Sequence, residues 1–101
     1  MPKIPELEIP EPYHGIHAAV AQPDAVTVRW LKPQHRCPRT RVKEHTCECR
    51  ARIYELCQAG ALFFVRRTDR TPKGQRVMET EWSPFAQMRE LWHNIITGRA
   101  V

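Results

Sequence analysis

A chain of 101 residues holds one domain with one modest core, because folding at this size buries about two thirds of the unfolded surface. Apolar residues make up 42% and charged residues 27%, which excludes wholesale disorder, collagen and coiled coil. The formal charge is +5, and no apolar run approaches the roughly 18 residues of a membrane span.

In chain order, residues 1–24 form a Pro-rich arm. Pro2, Pro5, Pro10 and Pro12 forbid helix and limit sheet pairing, so an extended, polyproline-like path is predicted. Ile4, Leu7 and Ile9 give the arm something to dock with, and its spacing of Pro2 and Pro5 also suits a PxxP ligand. Pro and Glu stand where a signal peptide would need an apolar stretch, so the expected location is the cytoplasm. His14 and His17 make an H-x-x-H here, with no helix to aim the two rings.

Residues 25–101 are predicted to be a single small α+β domain. Val26, Val28 and Trp30 alternate with Thr27, Arg29 and Leu31, the pattern of a strand ended by Pro33. Residues 35–50 lack periodicity and read as a loop held by something other than a core. Over 51–59, Ile53, Leu56 and Cys57 share a helical face, and Gly60 stands where a C-terminal cap would; a short helix is preferred to a strand. Residues 61–69, a turn at Arg70–Gly74 and residues 75–82 then read as a β-hairpin. Ser83-Pro84 is a helix-start signal, and Phe85, Met88, Leu91, Trp92, Ile95 and Ile96 recur at steps of three and four before Gly98. An amphipathic C-terminal helix from Ser83 to Thr97, packed across the hairpin with Trp92 buried, is the expected result.

The cysteines carry the first functional signal. Cys37, Cys47, Cys49 and Cys57 fall within 21 residues with the spacing C-x9-C-x-C-x7-C, and His35 and His45 lie in the same window. Zn²⁺ takes four tetrahedral ligands from Cys or His, and a loop without its own core gains most from a metal. Arg36, Arg39, Arg50 and Arg52 favour the thiolate forms that bind. In extended chain Cys47 and Cys49 point the same way. No C-x2-C knuckle is present, since Thr40 stands where the second Cys after Cys37 would be. Three readings compete: a structural zinc site, an iron–sulfur cluster or disulfides, and free thiols with Cys57 as a core residue. The zinc clamp is the expectation, with Cys37, Cys47, Cys49 and Cys57 as ligands and His35 or His45 as substitutes.

Charge carries the second signal. Residues 1–24 net −3, residues 77–101 net −1, and residues 25–76 hold thirteen Lys and Arg against four Asp and Glu, a net of +9. Twelve of the 16 basic residues are Arg, which forks onto phosphate or carboxylate better than Lys does. Arg66, Arg67, Arg70, Lys73 and Arg76 on the hairpin, supported by Arg39, Arg41 and Lys43, are the candidate phosphate contacts for DNA or RNA. Alternation puts Arg66 and Arg67 on opposite faces of the hairpin. The same cations also suit a solvated face or an acidic protein partner. No G-x-S-x-G, Walker loop or G-x-G-x-x-G is present and no small-molecule substrate is evident, so a non-enzymatic binding module, regulatory in character, is expected.

Overall fold

The computed structural model describes residues 15–34 and 39–101. It is a small α+β fold, with four antiparallel strands in one sheet and a single C-terminal helix. The strands are β1 (Arg41–His45), β2 (Arg52–Ala59), β3 (Leu62–Thr71) and β4 (Gly74–Glu79), in spatial order β1-β2-β3-β4, and the helix is α1 (Phe85–Ile96).

Residues 52–59 form a strand, not the short helix the sequence suggested. Tyr54 and Leu56 point to one face of the sheet, and Cys57 and Ala59 to the other, so this segment is buried on both sides and its apolar residues satisfy either period. Gly60, at φ 63°, decides between them. It sits at the first central position of the two-residue turn joining Ala59 to Leu62, where a II′ hairpin turn needs a positive φ. The glycine read as a helix cap is a hairpin turn.

The register defines two faces. Cα partners Leu56–Val65 and Tyr54–Arg67 lie on the face that α1 covers, and Cys57–Phe64 and Glu55–Arg66 lie on the other. The main core is built from Tyr54, Leu56 and Val65 of the sheet with Met88, Trp92 and Ile95 of α1 and Ala100 of the tail. A second, smaller cluster on the opposite face joins Cys57, Ala59 and Phe64 under Trp82, whose ring stacks on Phe64 with centroids 4.8 Å apart.

The helix starts at Phe85 with Pro84 as its N-cap and no side-chain cap bond. Ser83, the expected cap, is instead engaged through its backbone: its N–H donates to the Phe63 carbonyl at 2.9 Å and its carbonyl accepts from Phe63 at 2.8 Å. Gly98, at φ 79°, ends the helix region, and a Cβ there would fall 2.4 Å from the Val20 carbonyl oxygen. That contact belongs to the chain before the sheet. Ala19 N–H donates to the Ile96 carbonyl and Gln22 N–H to the Gly98 carbonyl, both at 2.8 Å, so residues 19–22 lie along the end of α1.

Residues 25–31 are not a regular strand. They make single bridges, Val26 with Ala100 and Leu31 with Glu79, because the segment passes from the C-terminal tail to the edge of β4 and pairs with neither for long. The stretch expected to be a structureless loop contains β1, whose five residues are all exposed on the sheet edge, which is why no hydrophobic period marks it. Among the described residues no helix is long and apolar enough to cross a membrane.

Candidate metal centre

β1 ends at His45, and the connection to β2 is held from both sides. Thr46 N–H donates to the Tyr54 carbonyl at 2.8 Å, and Tyr54 N–H donates back to Thr46 Oγ1 at 2.9 Å. Thr46 is consequently buried although polar, with its hydroxyl satisfied. The next amide, Cys47 N–H, donates to the Ile16 carbonyl at 2.8 Å, and Ile16 and Thr46 form a parallel bridge. This pairing brings the arm alongside the β1–β2 connection and delivers the following residue, His17, to the cysteines.

His17, Cys47 and Cys49 form one cluster, with their ligand atoms all within 4.8 Å of one another. His17 Nε2 lies 3.1 Å from Cys49 Sγ. Zn–S bonds of about 2.3 Å and Zn–N bonds of about 2.0–2.1 Å, arranged tetrahedrally, separate ligand atoms by roughly 3.5–3.8 Å. The observed spacing closes onto one ion with small side-chain adjustments. Cys47 is buried and Cys49 exposed, so the cluster lies at the surface with one sulfur anchored inside. The hydrogen bond to Cys47 is the largest influence on the Cys49 thiol and pushes it above its ordinary value; desolvation and the charge of Cys47 add to this, while Arg50 opposes it. His17, Cys47 and Cys49 therefore make up a cluster with the donor types and spacing to hold a metal ion.

The remaining ligands expected from sequence lie apart from this cluster. Cys57 is fully buried on β2 in the small cluster under Trp82, and its thiol is pushed up to about 11, chiefly by burial. Alternation and the hairpin register carry it into apolar packing. His45 is on the exposed edge strand, where its Nδ1 donates to the Thr46 carbonyl at 2.9 Å. Cys37 and His35 lie outside the described residues. His17 was visible in sequence only as half of an H-x-x-H. The residues around it gave no sign of what would aim it, since the aiming is done by backbone pairing with a segment thirty residues away.

The candidate phosphate contacts separate into several places. Arg66 faces away from the helix and pairs with Glu55 at 3.4 Å. Arg67 faces the helix side, where it pairs with Asp69 at 3.2 Å and lies over the Trp30 ring, 4.8 Å from its centroid. Arg70 donates to the carbonyls of Glu48 and Arg50. Lys73 and Arg76 are exposed at the tip of the β3–β4 hairpin. Arg41 and Lys43 are exposed on β1, and Arg39 precedes it. Arg41 is opposite Gln58, at the end of the sheet remote from the hairpin tip, so this trio does not reinforce the tip as the sequence suggested. The antiparallel course of β1 carries it away.

No protein-family model matches the chain, and no curated protein or solved structure is significantly similar to it.

Proposed function

We propose that this chain is a non-enzymatic binding module in which one Zn²⁺, with His17, Cys47 and Cys49 as three of its four ligands, ties the arm to the β1–β2 connection, and whose basic surface takes nucleic acid. The observation that carries the metal part is the convergence of an imidazole and two thiols from segments thirty residues apart. Two sulfurs with one nitrogen suit Zn²⁺ better than the hard oxygen-seeking cations. A tie between distant segments is what a structural metal supplies, since binding energy to a site absent from the unfolded chain becomes folding energy.

Elemental analysis of the native protein tests this reading. About one equivalent of zinc is expected, lost in His17→Ala, Cys47→Ala and Cys49→Ala and kept in Cys57→Ala. A native protein free of zinc overturns it. So does zinc that depends on Cys57 and is indifferent to His17, which would restore the four-cysteine arrangement.

A further inference from the structure

The end of the sheet next to the cysteines has a charge arrangement of its own. The β1–β2 connection and the β3–β4 turn lie at the same end, because each joins antiparallel neighbours in a simple meander. They are fastened together. Arg70 N–H donates to the Ala51 carbonyl at 2.8 Å, and the Arg70 guanidinium donates to the carbonyls of Glu48 and Arg50, the latter at 2.7 Å. One rigid edge therefore presents Arg50, Arg70, Lys73 and Arg76, with Arg52 in the adjoining cross-strand row.

The opposing acids are few. Asp69, between Arg52 and Arg76 in the register, is already shared by Arg52 at 2.7 Å and Arg67 at 3.2 Å. Glu48 is the other acid in this region. Arg50, Lys73 and Arg76 make no ion pair with a described residue. Positive charge here is thus in excess and held on a fixed backbone, which reduces the ordering cost of binding.

We infer that this edge, formed by Arg50, Arg70, Lys73 and Arg76, is where the module meets the phosphate backbone of a nucleic acid. The inference rests on the nucleic-acid reading above and does not require the metal to be zinc. Composition favours nucleic acid over an acidic protein. Protein interfaces have an apolar core, whereas protein–nucleic acid interfaces are more polar and strongly positive. Among the described residues, the large exposed apolar side chains are Ile16, Val20, Val26, Val42, Leu62 and Phe85, and none is on the hairpin tip. With no exposed aromatic there to stack on bases, the contacts are to phosphate and are indifferent to sequence.

The test compares two double variants of the full chain. Lys73→Gln with Arg76→Gln removes charge at the tip, and Arg41→Gln with Lys43→Gln removes equal charge at the far end. Both pairs are exposed, and circular dichroism checks that each variant is folded. Binding to a duplex DNA and to a single-stranded RNA is followed by fluorescence anisotropy across a salt series. The tip pair is expected to weaken binding tenfold or more and to reduce the log–log salt slope by about 1.8 on duplex, from about 0.9 per lost phosphate contact. The far pair should leave the slope nearly unchanged. Equal losses from the two pairs would keep the nucleic-acid reading but overturn this surface, since attraction would then follow net charge. Absence of binding by the unaltered protein at low salt would remove both. Displacement by polyglutamate as effective as by nucleic acid would also overturn the proposal, in favour of an acidic protein partner.

Discussion

At the scale of single residues, the three described cysteines illustrate how surroundings divide one chemistry into two. Cys57 is fully buried against Phe64 and Ala59, and its thiol is pushed from the ordinary 9.0 to about 11, first of all by burial. In this fold it packs as a small apolar group beside Phe64 and Ala59, under Trp82. Cys49 is exposed, so a reagent reaches it without any opening of the fold. In metal-free protein, a thiol reagent is expected to modify Cys49 quickly and Cys57 only as the fold opens. Peptide mapping after a timed alkylation reads this, and equal rates would contradict the packing. The sign of the pH effect follows from the same shift. The unfolded thiol loses its proton first, so the contribution from Cys57 is complete below about pH 9 and is lost as pH rises through about 11.

At the scale of elements, α1 is the main cover of the sheet. Its buried residues Met88, Trp92 and Ile95 recur at the spacing of one helical face and meet Leu56, Val65 and Tyr54. Trp92 adds a polar anchor, since its Nε1 donates to Glu44 Oε1 on β1 at 3.2 Å. The ring thus spans from the helix to the edge strand. Trp92→Ala is expected to cost about 3–5 kcal/mol, the usual range for a buried large aromatic. Denaturant unfolding measures it, and a midpoint equal to that of the unaltered protein would mean that the stripe contributes no packing.

At the scale of the whole molecule, the His17, Cys47 and Cys49 cluster lies where residues 16 and 17 meet the β1–β2 connection. Among the described residues, Ala19 bonds to Ile96, Gln22 to Gly98, and Ile16 to Cys47, which links the segment before the sheet to the β1–β2 connection. A metal on His17 would fasten that link. Removing it with a chelator is expected to lower the melting temperature by about 10–20 °C. That follows from a stabilisation of about 2.7 kcal/mol at a hundredfold excess of free metal over Kd, and from about 4–8 °C per kcal/mol in a domain of this size. Hydrogen exchange at the Ala19 and Gln22 amides should accelerate in the same sample. A melting temperature indifferent to chelation would show that the arm holds without metal.

The sequence was sufficient where the physics is local. The 85/88/91/92/95/96 stripe between Pro84 and Gly98 located the helix, the hairpin of residues 61–82 followed from turn residues flanked by apolar runs, and the opposite facing of Arg66 and Arg67 followed from alternation alone. The α+β class was legible for the same reason. Where the decision depended on partners distant in the chain, it was not legible. Residues 52–59 fit both periods, and only neighbours on two sides made them a strand. Crowding of cysteines in sequence pointed to a metal-binding cluster but could not say which residues meet in space. The alternation of a buried strand places Cys57 apart from Cys47 and Cys49, and backbone pairing between Ile16 and Thr46 brings His17 to them. A tetrahedral ion samples distance in space, and the tertiary structure sets those distances.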